Sequence, residues 1–473
     1  MTVEQGSQYD ADVKSGTSEI EVGDQQHGQL DYSDKEEKQA VWKLDIVLIP
    51  LLSAIYLFSY IDRGNIGNAK TAGMTKELRI SSSEYGWLIS IYYIAYICFH
   101  WTILVWKVVD PPTWVAIMAL GFGGLSMIQG AANNWSGLMA LRFLIGVFEA
   151  GYGPGVAFFL SWFYSRSEMA LRYGLFIGAS ALANAIASSL AYGIVQANAA
   201  ISDWRLLFIV EGTPTLVIAV IAYFLIPRGP ASVRFLSRRH NAIVADRAIK
   251  ARGEIANEGK VSITEALKVF LDYKCWMQAC IIFCFNSSFG SLPAFLPTII
   301  KEMGFTSIRA QGLSAPPYLA AYVLCISLSF LSDRLKSRGL LIGIFAYIGA
   351  AGYLMLRLSE TTATRYGAVY LVTCGVFPCI GLTFSWVTDN QMSSNRRGAG
   401  LALFGMIGQC GSFLGANIFP DETAPFFHYG MSIITGVLFA GGTLALLLSA
   451  ALRFENRRKT RNGEIDPNKL FVP

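Results

Sequence analysis

The chain alternates between long apolar runs and short polar stretches. Each apolar run is close to the 20 or so residues that a helix needs to cross a lipid bilayer. Six runs precede a polar stretch from Pro227 to Lys274, and six follow it. We therefore predict an all-α polytopic membrane protein with twelve transmembrane helices, near residues 45–66, 85–105, 113–132, 137–159, 172–197, 205–226, 275–299, 313–331, 339–357, 366–387, 398–418 and 428–452.

This six-plus-six pattern divides the chain into five segments. Residues 44–226 and 275–452 form two pseudo-symmetric six-helix bundles, joined by a linker over residues 227–274. The first 43 residues are polar and acidic, so we expect a disordered tail there. A basic tail covers residues 453–473. Binding sites in such folds lie between the two halves, near the middle of the bilayer.

The distribution of Lys and Arg predicts the orientation of the chain, because these residues favour the cytoplasmic side of a membrane. The linker holds ten of them, and five more follow Leu452 before residue 462. Loops 133–136 and 419–427 hold none, although the first loop on that side is an exception with three, at residues 70, 76 and 79. We expect both termini and the linker to be cytoplasmic.

Composition excludes several classes of protein. The chain is 53% hydrophobic and 15% charged, whereas soluble domains carry about 25% charged residues. Its basic residues lie in short clusters between apolar runs, a pattern that does not indicate nucleic-acid binding. No His or carboxylate lies near Cys280 and Cys284 to complete a metal site. We find no pairing of residues typical of an enzyme, and we expect no metal and no cofactor.

Asp62 and Arg63 are predicted to lie inside the first span. The apolar run from Ile46 to Ile61 has 16 residues, which is about 24 Å of helix against a hydrocarbon core of about 30 Å. The helix must therefore continue through both charges in order to span. Alternatively, the helix ends early and water solvates both side chains.

The fourth span contains Arg142 and Glu149, which lie on one helix face about 10 Å apart because seven residues are nearly two turns. Gly146 lies between them and is expected to leave room for the Arg side chain. Charges inside a bilayer are costly and tend to be functional, although a structural ion pair with Asp62 or Glu211 remains an alternative. Glu211, in the sixth span, could equally anchor the first bundle.

The interiors of the second-half spans carry amides and essentially no charge. We infer that the first half handles protons and the charge of the substrate, while the second half supplies hydrogen bonds. These amides could instead bond neighbouring helices to one another. They are Gln278, Asn286, Gln409 and Asn417.

Several motifs resemble one family. The stretches Tyr60–Ala69 and Arg142–Gly155 are similar to the first and fourth helices of the anion:cation symporter family within the major facilitator superfamily. Segments 204–214, 295–300, 316–318 and 455–458 are similar to its fungal branch, which includes allantoate, pantothenate and nicotinate permeases. The resemblance covers roughly residues 40–460 and implies the major facilitator fold.

The resemblance also implies roles for individual residues. Asp62 and Glu149 match positions that serve proton coupling, and Arg63 and Arg142 match positions that bind the substrate. Asn286, Gln409 and Asn417 are our further candidates for substrate binding. Segment 332–338 resembles a loop motif of the superfamily, and we expect Asp333, Arg334 and Arg338 to act in gating. The matching loop of the first half lacks an Asp-Arg pair, which departs from the usual pattern.

These inferences favour a secondary active transporter that takes up a small organic anion with protons by alternating access. An Arg at membrane depth suits a carboxylate because its fork donates two hydrogen bonds, and burial disfavours the charged form of an acid, which suits proton coupling. The alternatives are an exporter of a metabolite on the same fold and a nutrient sensor that binds without transport. We expect a monomer in the lipid bilayer of a fungal plasma membrane that binds no nucleic acid.

Overall fold

A computed structural model describes residues 31–165, 168–195, 200–252, 268–390, 394–463 and 470–473. Within these ranges every regular element is a helix. A 3₁₀ helix, His100–Lys107, follows α3, and two shorter ones are Lys268–Leu271 and Asp421–Thr423. The α-helices are α1 Asp34–Thr71, α2 Met74–Glu77, α3 Ser82–Cys98, α4 Pro111–Gln129, α5 Trp135–Glu149, α6 Tyr152–Leu160, α7 Met169–Ile194, α8 Asp203–Leu225, α9 Arg238–Arg252, α10 Tyr273–Lys301, α11 Ser307–Leu335, α12 Arg338–Leu358, α13 Thr362–Asn390, α14 Ser394–Ala416 and α15 His428–Arg461.

The spans agree with the predicted number. Eleven spans in the described ranges are long and apolar enough to cross a membrane, counting α5 with α6, and there are twelve if α3 and the 3₁₀ helix after it, bent by 41°, form one. Large apolar side chains on the outer helix surfaces are exposed, as expected where they face lipid. Examples are Val217, Phe224, Val323 and Leu447. The chain is therefore an all-α protein with the predicted twelve-span architecture.

Two helices at the ends of the bundles extend well beyond their predicted spans. Helix α1 begins ten residues before the predicted boundary at residue 44, since Ser33 and Glu36 form a reciprocal capping box. The predicted disordered tail is therefore wrong for residues 34–43, and residues 1–30 lie outside the described part of the chain. Helix α15 likewise continues through the predicted basic tail to Arg461.

The linker contains a helix that the apolar pattern did not predict. Helix α9 contacts the start of α1, where Arg239 pairs with Glu36 at 2.7 Å and Arg247 pairs with Glu37 at 2.7 Å. Arg247 also pairs with Glu168, just before α7, at 2.8 Å. We call the end of the bundle that carries α9 the linker face and the opposite end the distal face.

The two halves meet closely along their seam. An added Cβ at Gly67 on α1 would lie 2.8 Å from the carbonyl oxygens of Pro293 and Ala294 on α10. Towards the linker face, the imidazole of His100 occupies the space beside Gly405 on α14, where an added Cβ would lie 1.9 Å from its Nε2. Only glycine permits either approach, so these positions fix how closely the halves can pack.

The fourth span is broken near its middle. Helix α5 ends at Glu149 and α6 begins at Tyr152, at the glycine-rich run. The break places Glu149 at the end of a helix that points into the protein.

Candidate functional site

A small cavity lies between the two halves near the middle of the spans. Its volume is about 20 Å³, which is room for about one water molecule. The structure is therefore closed around it, and a substrate could enter only after the halves move. We call it the central cavity; residues from both halves line it, among them Tyr56, Tyr60, Arg63, Tyr96 and His100 from the first half and Asn286, Phe289, Phe384, Gly405 and Gln409 from the second.

Among the described residues that line the central cavity, Arg63 is the only Lys or Arg. Its Nη2 donates to Glu149 Oε2 at 2.8 Å, and its Nη1 donates to the Tyr60 hydroxyl at 3.0 Å. Its guanidinium lies over the rings of Tyr60, Tyr92 and Tyr96, at 4.3, 5.0 and 5.5 Å from their centroids. Ring faces attract a cation most strongly where water is excluded, so these tyrosines stabilise the charge of Arg63 inside the membrane.

Glu149 balances the charge of Arg63 from α5. Its side chain is 1% exposed, and its Oε2 also accepts a hydrogen bond of 2.5 Å from the Tyr92 hydroxyl. Its other oxygen, Oε1, has no hydrogen-bond partner in the described part of the chain. The carboxylate therefore depends largely on Arg63 for its charge, because a buried charge without a partner costs several kcal/mol.

Asp62 and Arg63 point to different partners, as expected of neighbours on a helix. Ser126 on α4 donates to Asp62 Oδ1 at 2.6 Å. Arg142 donates to the backbone oxygen of Asp62 at 3.3 Å, and its Nε and Nη2 have no hydrogen-bond partner among the described residues. Helix α1 continues through Asp62 and Arg63 to Thr71, with Asp62 buried and the Arg63 side chain 10% exposed.

The structure differs from the prediction in what Gly146 of the fourth span contacts. Gly146 faces α3, where an added Cβ would lie 2.5 Å from the Tyr92 backbone oxygen. It therefore permits close packing of α3 and α5 rather than making room for Arg142. Arg142 itself lines a second small cavity with Arg63, towards the distal face. Glu211 is buried on α8, away from the central cavity.

The structure separates the second-half amides into groups. Asn286 and Gln409 line the central cavity opposite Arg63. Asn417 lies elsewhere, in an opening of about 350 Å³ on the distal face, where it exchanges hydrogen bonds of 2.9 and 3.2 Å with Ser90 of the first half. Gln278 is buried but does not line the central cavity. Two of the three amides proposed for substrate binding are thus placed together with Arg63.

Charged residues of the second half gather instead at the linker face. Asp333 Oδ2 accepts from the backbone N–H of Leu171, in the first turn of α7, at 3.0 Å. Arg338 contacts Asp333 at 3.4 Å and Asp389, at the end of α13, at 2.6 Å. We call Asp333, Arg338 and Asp389 the linker-face ion cluster. Asp333 joins it to the first half, whereas Arg334 is exposed and lies over the Phe330 ring.

Sequence reasoning missed several residues of these sites. Asp389 and Arg365 are buried charges of the second half near opposite ends of α13, just outside the predicted span 366–387, so the prediction about span interiors did not include them. Tyr92 and His100 lack a motif of their own. The one available signal was the concentration of Tyr in the first two spans, because buried Tyr hydroxyls need polar partners.

The described residues contain no group of three or more His, Cys, Asp or Glu that could hold a metal ion. Against models of protein families, residues 52–416 match the Major Facilitator Superfamily. The chain belongs to the major facilitator superfamily. It is a multi-pass membrane transporter of that superfamily and not an enzyme.

Individual relatives agree with this membership. MFS transporter prlL of a fungal species (strain NRRL 50135) is 31% identical, over 97% of this chain and 94% of its own length. The High-affinity nicotinic acid transporter of Saccharomyces cerevisiae is 27% identical, over 84% of this chain and 74% of its own. Among solved structures, the proton:xylose symporter XylE bound to 6-bromo-6-deoxy-D-glucose superposes with a TM-score of 0.70 at 14% identity, covering 88% of this chain and 96% of that one. At that identity the likeness shows the fold alone, and it confirms the major facilitator fold.

Proposed function

We propose that this transporter carries a small organic anion together with a proton, and that Arg63 is the residue that exchanges its partner during transport. The observation that carries the proposal is the pairing of Arg63 with Glu149 at 2.8 Å beside the central cavity. The site is neutral when these two residues pair. It is neutral again when Glu149 binds a proton and Arg63 binds an anion.

This balance of charge gives a physical reason for coupling. If only the proton binds, Arg63 is left as a buried charge without a partner, and if only the anion binds, Glu149 is left so. Either state costs several kcal/mol inside the protein. The transporter can therefore switch between its outward-facing and inward-facing forms at low free-energy cost in two states only. These are the empty state, with Arg63 and Glu149 paired, and the state that holds both anion and proton.

Asp62 and Arg142 form a second acid and base close by. Asp62 has one oxygen bonded to Ser126 and one without a hydrogen-bond partner in the described ranges. Arg142 lies with Arg63 along the second small cavity. In this proposal Arg142 receives the anion on its way between the distal face and Arg63, and Asp62 is a second proton carrier.

The rest of the central cavity suits the uncharged part of a flat or compact carboxylate. Phe289 and Phe384 offer apolar surface, while Asn286 and Gln409 offer hydrogen bonds. The name of the yeast relative gives nicotinic acid as the substrate of that protein. We take nicotinate as the first anion to test here, as a member of the proposed anion:cation symporter branch would transport such acids.

The Lys and Arg distribution supports a cytoplasmic linker face, with both termini inside and the distal face outside. We also propose that the protein lies in the plasma membrane and is a monomer. In this orientation the closed structure, with a cavity of about 20 Å³, stands between an outward-open and an inward-open form.

The test is uptake of labelled nicotinate, followed by a panel of small carboxylates, into cells that express the chain. We expect faster uptake at acidic than at neutral external pH, and loss of uptake in Arg63→Ala. Arg357→Ala, at an exposed position on α12, is the matched control and should transport normally at equal surface expression. Outward flux of preloaded anion without inward uptake would instead support an exporter. An uptake rate that does not change with the proton gradient would contradict proton coupling.

A further inference from the structure

Residues 471–473 lie in extended form against the linker face of the second half. Asn456 on α15 binds Phe471 twice: its Nδ2 donates to the Phe471 backbone oxygen at 2.7 Å, and its Oδ1 accepts from the Phe471 N–H at 2.9 Å. A single amide thus satisfies both main-chain groups of one residue.

The next residue is bound in the same way by a different helix. Asn390, at the end of α13, accepts from the Val472 N–H at 2.9 Å and donates to the Val472 backbone oxygen at 3.1 Å. The indole Nε1 of Trp386 donates to that same oxygen at 2.7 Å. Two Asn side chains that each bind one residue twice form a site for an extended peptide backbone, since only an extended segment presents its N–H and C=O in this way.

The third residue reaches the start of α12. The Pro473 backbone oxygen accepts from the N–H groups of Arg338 at 2.7 Å and Gly339 at 3.4 Å. These are among the N–H groups that a helix leaves without a partner at its beginning. The Phe471 ring lies between two ammonium groups, with Lys274 Nζ at 4.0 Å and Lys459 Nζ at 4.2 Å from its centroid.

We propose that the linker face of the second half is a peptide-binding site whose ligand is this chain's own segment 471–473, and that the bound segment positions Arg338 for gating. The backbone of Arg338 contacts the segment, while its side chain contacts Asp333 and Asp389. Asp333 in turn accepts the hydrogen bond from Leu171 of the first half. The segment therefore acts on the contact between the halves through one residue.

The contacts of this site limit which peptide segments it can bind. The site contacts backbone amides, one aromatic ring, and one backbone oxygen at the start of α12. It should therefore bind an extended segment in which an aromatic residue lies two positions before the residue whose oxygen contacts α12. The site lies at the cytoplasmic end under the proposed orientation, but its existence depends neither on that orientation nor on the substrate.

The first test is hydrogen exchange of the full chain in lipid nanodiscs. We expect the amides of Phe471 and Val472 to exchange slowly, and the Asn390→Leu, Asn456→Leu double variant to speed exchange of Phe471 by about fivefold or more through loss of its hydrogen bond. Val472→Pro, which removes one donor from the segment and leaves the bundle unaltered, should release Phe471 as well. The control Asn462→Leu, at an exposed position directly after α15, should change nothing.

The second readout is the amide of Leu171, in the other half. If the segment positions Arg338, the double variant and Val472→Pro should both speed exchange of Leu171, and neither should do so in an Asp333→Asn background, where its acceptor is already altered. Fast exchange of Phe471 and Val472 in the unaltered chain would overturn the binding site. Unchanged exchange of Leu171 after release of Phe471 would overturn the gating role. No transport substrate is needed, so failure here is distinct from failure of the proposed anion transport.

Discussion

The two halves of the molecule place their charges at different depths. In the first half, buried charges lie inside the spans, with Arg63 and Glu149 paired at the central cavity. In the second half the cavity is lined by the neutral Asn286 and Gln409, and the paired charges Arg338 and Asp389 lie at the linker face. The comparison suggests that two six-helix units with one architecture serve different tasks, the first binding charge and the second controlling closure.

The loops at corresponding positions in the two halves also differ in how deeply their ion pairs are buried. In the first half, Asp110 pairs with Arg228 at 3.1 Å, with side chains 49% and 63% exposed. In the second half, the pair of Arg338 with Asp389 is 4% and 2% exposed. Exposed pairs contribute about 0–1 kcal/mol, whereas removing one partner of a buried pair costs about 3–5 kcal/mol. The loop of the first half therefore has little means of controlling closure through charge.

The largest effect is expected from Arg63→Ala. Uptake and exchange should both fall by at least about 100-fold, because Glu149 loses its partner and the anion loses its own. Arg63→Lys keeps the charge but not the planar fork, so it should recover only part of the activity. Exchange of internal for external labelled anion measures this directly. Retained exchange in Arg63→Ala at normal expression would mean that the first half does not bind the charge of the substrate.

Gly405→Ala tests the seam where the halves close. The added methyl group would meet the His100 imidazole, and overpacking of this kind costs about 1–3 kcal/mol. We expect a transport rate about tenfold lower, since the closed form is disfavoured. Gly436→Ala is the matched control in the same half, because its Cβ would meet nothing within 4 Å. Equal rates for the two variants would show that this contact does not limit closure.

Asp333→Asn tests the linker-face ion cluster against its first-half counterpart. Loss of an anion at the start of α7 is worth about 1 kcal/mol, so we expect the maximal rate to fall by about fivefold with the half-saturating concentration nearly unchanged. Asp110→Asn should leave both quantities unaltered. A large rise in the half-saturating concentration for Asp333→Asn would place this residue in substrate binding rather than gating.

The smallest effect is expected from the neutral side of the cavity. Gln409→Ala should weaken apparent affinity by about fivefold, the loss of one hydrogen bond of about 1 kcal/mol. Asn417→Ala should not change affinity, because Asn417 lies in the distal opening rather than the central cavity. Concentration-dependent uptake compares the two. A loss of affinity in Asn417→Ala as large as that in Gln409→Ala would support the original prediction that both amides bind the substrate.

The sequence was sufficient to predict the architecture and the charges of the first half. Apolar runs of membrane length predict spans with few alternatives, and a charge inside such a run stands out because it is costly. The start of α1 was misplaced because a polar capping box begins the helix before the apolar run, and the end of α15 was misplaced because that helix continues through basic residues to Arg461. Membrane thickness limits the run, whereas capping decides where the helix stops.

Partnerships between side chains could not be predicted in the same way. That Glu149 bonds Arg63, and that Gly146 faces α3, depends on how helices rotate about their axes and pack, which spacing along one helix does not determine. Asn417 appeared equivalent to Gln409 because both are amides in one predicted span, yet Asn417 comes eight residues after Gln409, past the end of α14 and near the distal face. Segment 471–473 has no periodic pattern, and its contacts come from four separate helices.

The most direct test of the central claim is counterflow in proteoliposomes with Glu149→Gln, using the anion identified in the uptake screen. Gln cannot take up and release a proton, so accumulation driven by a pH gradient should be lost. Exchange of internal for external anion should continue within about threefold of the unaltered rate, because Arg63 stays available to the anion. Asp62→Asn in the same assay shows whether the second acid is also required. Normal gradient-driven accumulation by Glu149→Gln would contradict the account and direct attention to Asp62 or Glu211 as the proton carrier.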